Sequence, residues 1–230
     1  MTITLYELVG RDSSRPFSPH CWKARMALRH KGLDFTTAPV PFTGIAALEN
    51  GVSKTVPVLR DGETLVSDSF AIAEYLETAY PDRPSLFGGE GGRQLSRFVE
   101  SWSQRTIHPA IARFALLDIH DCLGESDRQY FRESREAAFK ATLEAFIADR
   151  DVRVEPFLKS LEPLRAIVKQ QPFIGGETPL FADYIVFGAF QWARVSSPYD
   201  FLPKDDPVTE WVERCLTLHD SEAAKVPAAA

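Results

Sequence analysis

Ser18-Pro19-His20-Cys21 opens the stretch that decides the fold. Serine is a favoured helix N-cap. Proline at the first helical position has its φ preset and no N–H to lose. Behind them Trp22, Met26, Ala27 and Leu28 recur in a helical run, basic residues gather toward its end, and Gly32 stops it. Ahead of them residues 2–8 alternate as a β-strand, followed by a turn-rich loop of Gly10, Asp12, Ser13, Ser14 and Pro16. Downstream, residues 35–40 predict a second strand and 43–54 an irregular stretch with one or two helical turns. Residues 56–59 and 64–66 predict two short strands joined by the hairpin dipeptide Asp61-Gly62. Ser67-Asp68-Ser69 then caps an amphipathic helix carrying Phe70, Ile72, Ala73 and Leu76. The order through residue 80 is β-α-β-β-β-α.

Residues 81–92 hold two prolines and four glycines, which makes them the linker. Beyond it only helical patterns occur: 94–119, 128–149, 155–170, 181–195 and a short one over 207–216. The expected organisation is a small α/β domain over 1–80, a linker over 81–92 and an all-helical domain over 93–230. A net charge of −6 argues against nucleic acid and anionic membranes as partners, since both call for clustered positive charge. Three widely spaced cysteines, Cys21, Cys122 and Cys215, make neither a disulfide framework nor a metal site. No signal peptide and no apolar run of membrane length is read, so a cytoplasmic location is expected.

Four features of the first domain carry chemistry. Ser18 can cap its helix and also donate a hydrogen bond to an anion held over the exposed N–H groups, and a thiolate is such an anion. The positive helix end lowers a thiol pKa as well. Val56-Pro57 precedes a strand, where a cis bond would turn the Val56 main chain toward a peptide ligand. Asp68 and Ser69 at a helix start pair an acid for an ammonium group with a hydroxyl and N–H groups for a carboxylate. Lys54 is a candidate partner for a ligand carboxylate. Taken singly, these also read as a plain cap, an edge proline, an ordinary acidic cap and a solvated lysine. With serine at position 18, Cys21 has no C-x-x-C partner and is expected to face the interior. Tyr6 is expected in the core. Ser13 and Ser14 lack the proline-started helix that marks Ser18.

The joint pattern resembles the glutathione transferase superfamily over the whole chain: a strand, S-P-x-C at a helix start, V-P-V-L over 56–59, and Asp68-Ser69 leading into A-I-A-E-Y-L over 71–76. The resemblance implies a thioredoxin-like first domain, an all-α second domain, glutathione as cosubstrate and a two-fold homodimer. It makes Ser18 the thiol-activating residue of the serine-type classes. It assigns the cysteinyl backbone to Val56 and a cis Pro57, and the γ-glutamyl group to Asp68 and Ser69. Residues 42–45, 116–121, 134–136 with Phe139, and 181–184 resemble bacterial β-aryl-ether-cleaving transferases and their fungal etherase-related cousins, which use the glutathione thiolate to displace an aryloxide. That implies attack on an aromatic electrophile, with Trp102, Arg105, Thr106 and Phe114 as a wall of the acceptor pocket. A non-catalytic glutathione and aromatic-ligand carrier, or a glutathione-dependent dehalogenase or isomerase, shares the same first-domain site. His120-Asp121 reads as a structural pair at a helix end. Leu180 stands where the family often has a capping Ser or Thr, which leaves Thr178 or Asp183 to cap the last long helix.

Overall fold

The computed structural model describes residues 2–230. Strand β1 (Ile3–Leu8) runs parallel to β2 (Phe35–Val40) and antiparallel to β3 (Val58–Asp61), which pairs antiparallel with β4 (Thr64–Ser67). The sheet order is β2-β1-β3-β4, with Leu5 between Thr37 and Leu59. Helices α1 (Pro19–His30) and α2 (Ser69–Ala79) pack on each other and on this mixed sheet, which is the thioredoxin-like arrangement. β3 begins two residues later than expected because Pro57 has no N–H for the ladder. Between β2 and β3 the chain forms a 3₁₀ stretch over Phe42–Asn50.

The helical domain comprises α3 (Glu90–Trp102), α4 (His108–Cys122), α5 (Glu125–Phe139), α6 (Leu143–Ile147), α7 (Arg150–Ser160), α8 (Glu162–Val168), α9 (Phe181–Ser196) and α10 (Pro207–Ser221). Three of the long helices expected from periodicity are broken. A π-helical stretch over Ser103–Ile107 separates α3 from α4. Lys140, with φ +53°, ends α5. Pro163 cannot continue α7, so α8 starts afresh there. All of α9 is buried except Trp192 and Arg194, and α1, α3 and α4 pack around it. Gly188 sits where α9 meets the start of α1: a Cβ there would lie 2.5 Å from the Pro19 carbonyl oxygen, so only glycine permits this approach.

Leu180 provides no side-chain cap for α9. Asp183 does the work from inside the helix, its Oδ2 accepting from Leu180 N–H at 3.0 Å. The same carboxylate accepts from Ile174 N–H at 2.7 Å, Gly175 N–H at 2.9 Å and Trp211 Nε1–H at 3.1 Å.

The seam between the domains is polar at fixed points. Buried Lys23 of α1 pairs with Glu100 of α3 at 3.0 Å. The Tyr184 hydroxyl bridges His30 Nδ1 at 2.7 Å and His219 Nε2 at 2.9 Å. Glu7 and Glu222 share Arg25 at 2.9 and 2.8 Å. Burial pushes His219 down to about 4 and lowers His30 as well. It pushes His108 down to about 4, helped by the Lys23 charge, and holds His20 well below 6.5. An imidazole whose pKa falls on folding binds its proton less tightly in the native state, so its contribution is lost as pH drops from 6.5 toward 4. His108 corresponds to about 3 kcal/mol across that window, and His219, which is more open to solvent, to less than that after screening. Glu7, pushed up to about 7 mainly by burial, runs the other way and offsets roughly one histidine between pH 7 and 4.5. The urea midpoint is therefore expected to fall steeply between pH 6.5 and 4.5 and to fall further in Glu7→Gln. A midpoint flat over that window would contradict the burial of these rings.

Candidate active site

Ser18 caps α1 with extended backbone, and its Oγ accepts from Cys21 N–H at 3.4 Å. That bond is long for a cap and uses only a lone pair, so the hydroxyl proton stays free to be donated. Ser18 is 5% exposed, and what it shows faces a cleft of about 1030 Å³ between the two domains. Lys54 and Val56 line the same cleft. Val56 is cis to Pro57 and stands just outside the β3 ladder, so strand pairing does not use its main-chain N–H and C=O.

Pro57, Asp68 and Ser69 are not on the cleft wall. Asp68 caps α2 from a backbone with φ +78°, its Oδ1 accepting from Phe70 and Ala71 N–H at 2.9 and 3.0 Å. Ser69 is 1% exposed, and its Oγ has no hydrogen-bond partner among the described residues. A buried hydroxyl left unmatched at a helix N-terminus is the kind of group a bound carboxylate satisfies.

The rival residues lie elsewhere. Tyr6 is half-buried rather than in the core, and its hydroxyl donates to Glu49, which also pairs with Arg60. Ser14 donates its N–H and Oγ–H to Asp12 at 2.9 and 2.6 Å in an exposed turn, with Ser13 exposed beside it. Cys21 is fully buried, and burial pushes its thiol up to about 12, which removes it as a nucleophile. His120 Nδ1 sits 2.9 Å from Asp121 Oδ1 at the end of α4, off the cleft.

The expected acceptor wall requires correction. Trp102, Arg105, Thr106 and Phe114 do not line the cleft. Phe114 is core, its ring 4.9 Å from Phe201 and 5.4 Å from Phe157. Arg105 is exposed and within 3.4 Å of Ser101 Oγ. For the residues beyond Trp102 the cause is the π stretch: His108 N–H bonds to Ser103 C=O five residues back, and the added residue rotates all that follows relative to a regular helix. The face presented is His108, Ala112, Leu116 and Ile119. Sequence reasoning also missed Phe17, His20, Phe42, Thr43, Tyr130, Phe131, Phe139 and Trp192 as lining residues. The i, i+4, i+8 spacing of 108, 112 and 116 was the available signal.

Beside Ser18 the rings of His20 and His108 stack with centroids 5.5 Å apart. His108 Nδ1–H donates to Ser103 C=O at 3.0 Å, which leaves Nε2 an acceptor, buried and without a partner among the described residues. With both pKa values depressed, this pair is neutral at pH 7. The cleft thus offers an aromatic, mostly apolar chamber with one free hydroxyl donor at a helix N-terminus and a free imidazole acceptor nearby.

A mixed four-stranded sheet with a helix-capping serine at its edge, followed by a helical domain that closes a cleft over it, defines a class of two-domain thioredoxin-like proteins. The family model "Glutathione S-transferase, N-terminal domain" matches residues 13–84, and "Glutathione S-transferase, C-terminal domain" matches 94–215. The chain belongs to the glutathione S-transferase family. The glutathione S-transferase-like protein ustS of Aspergillus flavus is 24% identical over 212 residues, covering 79% of this chain and 76% of its own. The crystal structure of CsGST63524 from Ceriporiopsis subvermispora, in complex with glutathione, superposes with a TM-score of 0.76 at 26% identity, covering 96% of this chain and 98% of that one. Glutathione transferase GSTFuA3 of Phanerochaete chrysosporium gives a TM-score of 0.73 at 26% identity, covering 98% and 94%. No helix among the described residues is long and apolar enough to cross a membrane.

Proposed function

We propose that the chain is a serine-type glutathione transferase acting on an aromatic electrophile, with β-aryl ethers as the first class to test. One observation carries this reading: the free Ser18 hydroxyl opens at a helix N-terminus into the same aromatic cleft as Val56 and Lys54. Glutathione lies with its cysteinyl main chain against Val56, its γ-glutamyl carboxylate at Ser69 and the α2 N-terminus, its ammonium at Asp68, and its glycyl carboxylate near Lys54. The unmatched Ser69 Oγ supports that placement. The thiol gives its proton to solvent and the thiolate is held by the Ser18 O–H and the α1 dipole. It attacks the carbon bearing the aryloxide, the C–S bond forms, the C–O bond breaks, and the aryloxide leaves with the bonding pair.

The test incubates purified protein and glutathione with aromatic electrophiles, including β-aryl ether model compounds, and follows glutathione adducts and released phenol. Adducts that require both protein and glutathione are expected. Phenol release from the ethers identifies the etherase class, and adducts with other electrophiles alone would remove it. Glutathione binding without any adduct would overturn transfer in favour of a carrier.

A further inference from the structure

Arg135 lies in α5 and is one of the residues lining the cleft. Its Cζ sits 4.8 Å from the Phe131 ring centroid and 5.6 Å from that of Phe42. Phe42 in turn is 6.1 Å from Phe17, the residue next to Ser18, so the cation stands two ring contacts along the cleft from the candidate thiolate site. Among the described residues no carboxylate pairs with it, and its one hydrogen bond runs from Nη1 to Ser134 Oγ at 3.1 Å.

The acids nearby are already engaged. Asp127 accepts from Phe42 N–H, Thr43 N–H and Thr43 Oγ1–H at 2.8, 2.9 and 2.8 Å. Glu136 holds Arg132 at 2.8 Å and Leu143 N–H at 3.1 Å. Arg132, on the same helix, has two carboxylate partners where Arg135 has none. Burial lowers the Arg135 pKa, yet a guanidinium stays charged in proteins. A half-buried, unpaired cation is costly unless something completes it. Phe42 and Phe131 lie against it, and Tyr130 and Phe139 line the same cleft, so its complement has an aromatic body and an anionic end.

We propose that the acceptor substrate is an aromatic carboxylate, its ring held among Phe42, Phe131 and Trp192 and its carboxylate paired with Arg135, so that Arg135 sets which electrophiles are taken. The planar fork of a guanidinium matches a carboxylate through two parallel hydrogen bonds. This inference rests on the transferase reading above and narrows its substrate class.

The test compares 4-chloro-3,5-dinitrobenzoate with neutral 1-chloro-2,4-dinitrobenzene in glutathione-dependent turnover. In both reactions the C–S bond forms and chloride leaves with the C–Cl electron pair, so the ratio of kcat/KM values cancels the shared chemistry. In Arg135→Met, which keeps a long side chain over the rings, the carboxylate-to-neutral ratio is expected to fall about 10- to 100-fold, mainly through KM. Arg135→Lys, which retains charge without the fork, is expected to recover part of it. An unchanged ratio, or equal losses for both electrophiles, would overturn the proposal. Calorimetric titration of wild type and Arg135→Met with unreactive 3,5-dinitrobenzoate reads the same site without chemistry. Weaker binding by the variant supports the carboxylate site even if no electrophile is turned over, an outcome that sinks only the transferase reading. Equal binding by the two proteins sinks the site itself.

Discussion

Ser18→Ala is expected to lower kcat/KM for glutathione transfer about 10²-fold and to return the bound thiol pKa toward its free value of about 8.5. The hydroxyl stands at the α1 N-terminus, faces the cleft and has no acceptor for its proton among the described residues. Its loss leaves the helix dipole and the Cys21 N–H, which the alanine variant frees, so the effect is large but not complete. Folding should change little, because a 3.4 Å cap is a weak one and a lost cap costs about 1 kcal/mol at most here. His20 and His108 are neutral in this range and contribute no positive charge. The pH profile of kcat/KM should therefore show a single rise set by the thiol, with no second limb from either histidine. Ultraviolet titration of the bound thiolate in both proteins checks the shift. Equal pKa values in wild type and variant would take the role away from Ser18.

Asp183→Ala is expected to cost about 3–5 kcal/mol of folding stability, read as a shift in urea unfolding. The carboxylate is fully buried and binds four donors. Burial raises its pKa, and those four donors work against that rise. Removing it takes the acceptor from three backbone N–H groups and from the indole N–H of buried Trp211. Trp211→Phe removes only one of these donors and should cost far less. A loss below about 1 kcal/mol in Asp183→Ala would mean that water enters and satisfies the donors. The damage would spread to the site, because α9 seats the first turn of α1 through Gly188.

The parts of the fold legible in the sequence were those written by local chemistry. Ser18-Pro19, Asp68 and the Gly62 turn each announce their element through a cap or a required φ, and each stands within a residue or two of its expected place. Where a break rests on no such mark, periodicity misled, and at Pro163 it carried a helix through a residue that ends one. Lys140 adopts φ +53° without being glycine or asparagine, and the π stretch contains neither glycine nor proline. The first-domain residues proposed for glutathione sit on caps and a strand entry, which sequence can locate. The cleft wall sits on helix faces, and a face is fixed only when the helix phase is known. Arg135 was visible as a residue in a family-like run, but its lack of a counter-ion is a property of three-dimensional arrangement.

The π stretch at Ser103–Ile107 also bears on how such a cleft changes over generations. It is equivalent to one residue inserted into a regular helix. Regular α winding of the same residues there would turn everything from His108 onward by about 100°, one residue's rotation at 3.6 residues per turn. His108, Ala112, Leu116 and Ile119 would swing away together and a different row would face the thiol, while α1 and its serine stayed in place. The acceptor-facing row on this scaffold is thus set by whether that wide turn is kept, and substitutions that tighten it would exchange the whole row at once.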